Sequence, residues 1–531
     1  MRPVLTALAA ALACALAAPA AHAQRQRSPD PGPLVERPNV VVIMTDDQNV
    51  DDLRTMPRTR RAFLRHGVTF ERSYVSYPAC CPARATYLTG RYAHNHGVWG
   101  LYPPTGGYSR FDDRDALPVW LERAGYRTVH VGKYLNGYGI DRPAIVPEGW
   151  TEWYGAVDPT TYRTYGYTLN ENGRLVTYGS PLVEDASSYQ TDVLRNKALD
   201  AIRRASASPQ PFFLSLTPLA PHHEERNLWG RIGTTLRPAP RHRGAFASLP
   251  LPRPPGFGER ALADKPRFLQ RFAPLDATAI AGIEAEFRAR RESLLAVDEA
   301  VAAIVRELRA RGLLDETYLL FTPDNGFMLG EHSVPRGKML AYDPSSQVPL
   351  LIRGPGIPAS YASLEPVVNA DLAPTILELT GARGVAPIDG RSLVRFARDP
   401  SRRSDRMLLH ETGGLRATSP QPEDDTGAVP LRTIRTYRAV RDERWLYVVY
   451  GGGGRELYDL LVDPFQLRSR HRDPRYAATR RVLAGELKRL STCRGRVCRL
   501  AGPPVPDPLG IDDRASARSA AGAGARRAPR R

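Results

Sequence analysis

The chain has 531 residues, 42% hydrophobic and 24% charged, with 74 Lys and Arg against 56 Asp and Glu. That length suits several domains, or one large α/β domain with an appendage, and the composition excludes a disordered polymer. The formal charge of +18 favours anionic partners such as sulfated glycans, nucleic acid or acidic lipid, and says nothing of fold or chemistry.

Residues 1–23 read as a secretory signal. Arg2 begins it, residues 4–20 are small and apolar, and Ala21-His22-Ala23 forms a cleavage site. Export to the cell exterior or periplasm is therefore expected. No other stretch is long and apolar enough to span a bilayer, so no stable membrane insertion is expected. Residues 24–37 are polar and Pro-rich, a linker. Residues 39–44 (NVVVIM) form a continuous β-branched run, as in a strand buried on both faces. Similar runs recur at 128–131, 212–216, 318–322 and 348–352. Helical patterns lie between them. The clearest, 280–311, places Ile283, Phe287, Leu294, Val301, Ile304 and Leu308 near helical spacing. This alternation predicts an α/β fold with a large mixed, mainly parallel sheet flanked by helices. The Pro- and Arg-rich stretch 224–276 reads as an irregular surface excursion, suited to a substrate rim. After a polar loop at 413–430 the pattern changes. Segments 437–440 and 445–450 bracket a hairpin, 451–454 turns again, and a helix near 476–490 closes a small antiparallel α+β subdomain. The expected boundaries are a catalytic domain at 38–400, a C-terminal subdomain at 401–500 and a disordered basic tail at 501–531.

Of five cysteines, Cys14 leaves with the signal. Cys493 and Cys498 are expected to close a short disulfide in an oxidising compartment. Cys80 and Cys81 are adjacent, and a bridge between them would be strained.

Functional side chains of an α/β sheet collect at the carboxyl ends of its strands. Four of the five runs lead directly into polar residues: Asp46 and Asp47, then Lys133, then His222 and His223, then Asp324 and Asn325. Parallel strands would turn all four groups into one cleft. Asp46, Asp47, Asp324 and Asn325 offer hard oxygen ligands, which favours Ca²⁺, with Mg²⁺ as the alternative, over zinc. Three carboxylates packed together would repel one another without a cation.

Cys80 opens the run Cys80-Cys81-Pro82-Ala83-Arg84, ahead of Gly90. Pro82 suits the first turn of a short helix and Gly90 its end. Such a helix would aim backbone donors at an anion beside residue 80, with Arg84 one turn on. This run resembles the motif that formylglycine-dependent sulfatases, within the alkaline-phosphatase superfamily, present to the formylglycine-generating enzyme. Residues 125–134, Pro221-His222, Asp324-Asn325-Gly326, Gly330-Glu331-His332 and Lys338 resemble further segments of that family, in the same order. Residues 92–96 and 132–136 most resemble the N-acetylglucosamine-6-sulfatase branch.

The resemblance implies that Cys80 becomes formylglycine, whose hydrate attacks the sulfur of a sulfate ester. It implies a metal held by Asp46, Asp47, Cys80, Asp324 and Asn325. Arg84, Lys133 and Lys338 would neutralise the sulfuryl oxygens, and His222 or His332 would protonate the leaving alcohol. Ala83 departs from the commoner Ser. Leu135 stands where many arylsulfatases carry His, leaving that role to His222, His332 or Asn136. Sulfated amino sugars or aryl sulfates are the implied substrates. The alternatives are a phosphatase or phosphonate monoester hydrolase of the same superfamily, and a catalytically inactive protein that binds sulfated glycans. No recognised nucleic-acid motif accompanies the charge, so no nucleic-acid partner is expected.

Overall fold

The computed structural model describes residues 36–227, 232–413 and 436–511. The signal segment, residues 24–35 of the linker, most of the 413–430 loop and the tail beyond residue 511 lie outside the described residues. Ten strands form one sheet: β1 Asn39–Thr45, β2 Gly67–Phe70, β3 Arg127–Gly132, β4 Glu152–Ala156, β5 Tyr167–Glu171, β6 Arg174–Tyr178, β7 Phe212–Thr217, β8 Thr317–Pro323, β9 Leu350–Arg353 and β10 Tyr361–Ser363. Their order is β10-β2-β9-β8-β1-β7-β3-β4-β5-β6. The five strands from β8 through β1, β7 and β3 to β4 run parallel. β9 is antiparallel to both its neighbours, and β5 and β6 continue the other side as an antiparallel hairpin. The sheet is thus mixed and parallel at its centre, as the strand–helix alternation predicts.

The helices used below are α1 Pro57–Phe63, α2 Cys80–Thr89, α3 Leu117–Arg123, α4 Gln190–Ala205, α5 Ala277–Ala310, α6 Leu372–Thr380 and α7 Ala477–Leu490. β1 explains how they divide into two layers, because side chains alternate across a strand. Val40, Val42 and Met44 join a core with Leu88 of α2, Trp120 of α3 and Ile376 of α6. Val41 and Ile43 join another with Phe63 of α1, Ile202 of α4 and Val297 of α5. A buried side chain of this size contributes about 1.5–3 kcal/mol, so an unbroken apolar strand is worth most at the centre of a covered sheet. The Asp276 side chain caps α5 by accepting from the Ala279 N–H at 2.8 Å.

β11 Leu408–Glu411, β12 Tyr437–Arg441, β13 Trp445–Tyr450 and β14 Arg455–Asp459 form a second, antiparallel sheet in that order. Leu483, Leu487 and Leu490 of α7 pack on it. So do Tyr74, Tyr92 and Val368 from the larger body, and Ala439, Leu446 and Val448 join the core of Val40 and Val42, so the two sheets share a core. Cys493 and Cys498 are joined by the expected disulfide. The 224–276 excursion is tied to α5 and to the segment after β8 by a small core containing Leu251, Phe287, Phe327 and Leu329. Among the described residues, no helix is long and apolar enough to cross a membrane.

Candidate active site

The parallel centre of the sheet delivers its exits side by side. Thr45 at the end of β1 pairs with Pro323 at the end of β8, and Gly132 of β3 with Thr217 of β7. Asp46 and Asp47 follow the first, Asp324 and Asn325 the second, and Lys133 follows Gly132. Gly132 has φ +116°, and a Cβ there would lie 2.2 Å from the Thr217 carbonyl oxygen. Only glycine lets β3 approach β7 so closely just before Lys133.

Ligand atoms of Asp46, Asp47, Cys80 and Asp324 all lie within 4.8 Å of one another, and an overlapping group joins Asp46, Cys80 and His222. All five residues are buried. Cys80 arrives as the first residue of α2. Ala79 is extended, the Ala83 N–H donates to the Ala79 carbonyl at 2.9 Å, and Gly90 ends the helix in the left-handed region at φ 66°. A side chain at Gly90 would reach 2.7 Å from Ile388.

Three cations answer the three carboxylates. Arg84 donates through Nε to Asp324 Oδ2 at 2.8 Å and through Nη2 to Asp46 Oδ2 at 3.2 Å. Its Nη1 donates to the Lys133 carbonyl at 2.6 Å. Lys133 Nζ lies 2.7 Å from Asp46 Oδ2. Lys338 Nζ lies 2.7 Å from Asp47 Oδ1 and 2.9 Å from Cys80 Sγ. Asn325 Nδ2 donates to Asp47 Oδ1 at 2.6 Å, and the Asp47 N–H donates to Asp324 Oδ1 at 3.1 Å. Asp47 adopts φ 65°, unusual for a residue with a side chain. Arg290 of α5 braces that turn by donating to the Asp47 carbonyl and, at 3.3 Å, to the Pro221 carbonyl.

Within this cluster of described residues two buried acceptors stay without a hydrogen-bond donor: Asp47 Oδ2 and Asn325 Oδ1. Leaving one such group bare costs about 1–3 kcal/mol. Both are hard oxygens in a carboxylate-rich cluster, the donor set a Ca²⁺ or Mg²⁺ ion takes. The residues present therefore fit a divalent cation. Electrostatics agree. Burial drives the Asp46 carboxyl up, but Lys133, His222, Arg84 and Lys338 together hold it well below its ordinary value. Burial and the neighbouring Asp46 raise Asp324, only partly offset by Arg84. Burial and Asp46 push the Cys80 thiol well up, against Lys133 and Lys338.

His222 accompanies the cluster. Its Nδ1 donates to the His223 carbonyl at 2.7 Å, which leaves Nε2 facing Asp47 Oδ2 at 3.8 Å. His332 has other partners. Its Nδ1 pairs with Glu259 Oε2 at 2.6 Å and its ring packs on Tyr342 at 4.0 Å. Its partners are thus Glu259 and Tyr342 rather than the ligand cluster. Asn136, next to Leu135, donates to the Tyr162 hydroxyl at 2.9 Å. The Tyr162 ring sits under Lys133 Nζ at 4.5 Å and 5.2 Å from the His222 ring. Arg290 and Tyr162 were not foreseen from sequence. Arg290 has a signal, being a charged residue on the apolar stripe between Phe287 and Leu294. Tyr162 has none, since it lies in a short 3₁₀ turn, Thr160–Tyr162.

Parallel-strand exits that gather carboxylates, fixed cations and an oxidisable side chain at a helix start define a hydrolase of anionic esters. The chain belongs to the sulfatase family, whose profile matches residues 38–382. It is 32% identical over 510 residues to an arylsulfatase of Volvox carteri, covering 87% of this chain and 76% of that protein. It is equally identical, over 510 residues, to N-acetylglucosamine-6-sulfatase of Capra hircus, covering 89% of this chain and 86% of the relative. A protein solved with its substrate D-glucosamine-2-N,6-O-disulfate shares the fold at TM-score 0.70 and 21% identity, over 87% of this chain and 98% of that one.

Proposed function

We propose that this sulfatase acts through Cys80 oxidised to formylglycine and a divalent cation, Ca²⁺ in the first instance, held by Asp46, Asp47, Asp324, Asn325 and residue 80. The reading rests above all on the convergence at Cys80, with two buried oxygens left bare. The burial-raised thiol supports it too, since a neutral thiol is a poor nucleophile and oxidation removes that barrier. When present, the hydrated aldehyde supplies an oxygen nucleophile and a second hydroxyl for releasing sulfate, and the cation supplies Lewis-acid polarisation.

The chain's own side chains do the rest. Lys338, bonded to both Asp47 and Sγ of residue 80, orients that residue and places positive charge beside it. Lys133 and Arg84 hold Asp46 ionised and present charge to the sulfuryl oxygens, the electrostatic share of catalysis. His222, with Nδ1 fixed by the His223 carbonyl, keeps Nε2 in the cleft and, as the imidazolium, delivers the Nε2 proton to the departing alcohol, returning to the neutral ring. Glu259 would orient His332 in a supporting position. The similarity to N-acetylglucosamine-6-sulfatase along most of the chain favours a sulfated amino sugar as substrate, with an aryl sulfate as the simpler assay ester. The N-terminal signal pattern and the Cys493–Cys498 disulfide favour an exported, oxidising location.

The test is peptide mass analysis around residue 80, in protein produced with a formylglycine-generating enzyme, together with turnover of an aryl sulfate. An aldehyde and released sulfate are expected. An intact thiol without sulfate release would end the reading, and faster turnover of an aryl phosphate would move the protein to the phosphatase alternative.

A further inference from the structure

The excursion at residues 263–271 and the turn between β13 and β14 enclose a cavity of about 800 Å³, lined by none of the residues around Cys80. That volume lies within the usual range of ligand pockets, roughly 300–1,000 Å³. Four exposed arginines line it: Arg267, Arg271, Arg455 and Arg472. Among the described residues none of the four makes an ion pair or a side-chain hydrogen bond. Arg84, Arg241, Arg406 and Arg444, by contrast, are closely paired with carboxylates.

The lining holds a single carboxylate among the described residues, Asp264, and it is already engaged. It accepts from the Ser469 N–H at 2.6 Å and lies 3.7 Å from Lys265 Nζ. His471 also lines the cavity, and burial together with Arg472, Arg480 and Arg455 pushes its imidazole below the ordinary value. The positive charge here is therefore uncompensated, and concave walls focus it.

The floor of the cavity is rigidly tied to the loop that carries Lys338. Lys265, buried, donates to the Gln466 and Leu467 carbonyls at 2.9 and 2.7 Å and faces Glu259 Oε1 at 3.6 Å. Glu259 holds His332, and His332 packs on Tyr342. Tyr342 and the lining Tyr450 both donate to Glu456, each at 2.6 Å. A ligand seated against Tyr450 and Lys265 is thus in fixed relation to the Lys338 loop.

We propose that this cavity is a second anion-recognition site that takes sulfo or carboxylate groups of an extended anionic oligosaccharide. The choice of a glycan among polyanions rests on the sulfatase reading above. It also rests on the lining itself. Phe268 and Tyr450 pack edge-on against each other with centroids 5.6 Å apart, and both are buried. Neither ring is free to stack on a nucleobase, which single-strand binders need.

The test measures binding directly, by calorimetry on Cys80→Ala protein with a size-defined heparin hexasaccharide, inorganic sulfate and a short DNA duplex. An exposed ion pair is worth roughly 1.5- to 5-fold in affinity. Replacing Arg267, Arg271, Arg455 and Arg472 together by Gln should therefore weaken hexasaccharide binding about tenfold or more. Replacing Arg60, Arg61, Arg65 and Arg309 together by Gln removes the same charge from the α1–α5 surface and should change it less than about threefold. Thermal unfolding checks that both variants are folded. Equal weakening by both sets would reduce the effect to net charge and overturn the site. Unchanged binding in the first set would do the same. Inorganic sulfate binding as tightly as the hexasaccharide would overturn the extended ligand, and equally tight DNA binding would overturn the glycan. Turnover of an aryl sulfate by Cys80 protein, after maturation, separately tests the sulfatase reading, so the two can fail independently.

Discussion

Arg84→Ala tests the electrostatic logic of the cluster without requiring turnover. The substitution removes the guanidinium from Asp324 Oδ2 at 2.8 Å and from Asp46 Oδ2 at 3.2 Å. The losses are unequal. Asp46 keeps Lys133 at 2.7 Å, whereas Asp324 keeps the Asp47 N–H at 3.1 Å and a weaker attraction to Lys133. The Lys133 carbonyl loses one donor but retains the Thr217 hydroxyl at 2.7 Å, so it adds little. Removing one partner from a buried ion pair typically costs about 3–5 kcal/mol, and here that cost falls mainly on Asp324. Urea unfolding of protein still carrying the Cys80 thiol, followed by tryptophan fluorescence in the presence of EGTA, should show a loss of about that size. Millimolar Ca²⁺ should restore part of it, because the cation neutralises the same carboxylates. Without the competing guanidinium the variant should bind Ca²⁺ more tightly, and at fixed Ca²⁺ the stabilisation grows as RT ln(1 + [L]/Kd), so the variant's gain should exceed the parent's. A loss under about 1 kcal/mol in EGTA, with an equal Ca²⁺ response in both proteins, would show that Arg84 does not compensate buried charge.

Lys338→Ala in matured protein should lower kcat about 10²–10³-fold, the cost of losing one fixed electrostatic donor, with a smaller change in KM; an unaltered kcat would remove Lys338 from the machinery. Asn325→Ala deletes one of the two bare oxygens and should weaken Ca²⁺ binding at least about tenfold by calorimetry on thiol-bearing protein, and a full-strength isotherm would count against that ligand. His94 gives a pH signature. Burial lowers its imidazole, but the hydrogen bond and charge of Glu411, with the Cys493 carbonyl and Asp389, raise it overall. A raised folded value stabilises fully below the unfolded value near 6.5 and ceases to do so as pH climbs through the folded value. His94→Gln should therefore cost most stability near pH 5.5 and least near pH 9, and a pH-independent cost would deny the charged pair.

Four of the five parallel strands were legible because they are buried on both faces and read as short, mainly apolar runs; β4, Glu152–Ala156 (EWYGA), was not. The run at 348–352 was legible as a strand but not in direction: β9 lies antiparallel between β8 and β2, and hydrophobic periodicity carries no polarity. The β5–β6 hairpin went unread although Asn172-Gly173 marks it. Both residues have positive φ, 52° and 93°, the backbone a two-residue hairpin turn needs. The long helix was placed within three residues at its start, with Asp276 the cap that sets the boundary.

The site and the cavity differ in legibility for one physical reason. Asp46, Lys133 and Asp324 each follow a strand directly, so the parallel pairing that forms the sheet also brings them together. Position along the chain then encodes position in space. His332 has no such strand behind it, and its surroundings are set by Glu259 from a distant excursion. Arg267 with Arg271, Arg455, and Arg472 come from three segments that only tertiary packing unites, among 74 basic residues with no period to single them out. Bond cleavage therefore belongs to strand ends that the topology holds in register. Recognition of what lies beyond the cleaved ester belongs to loops, where four unneutralised charges persist because no carboxylate of the described fold reaches them.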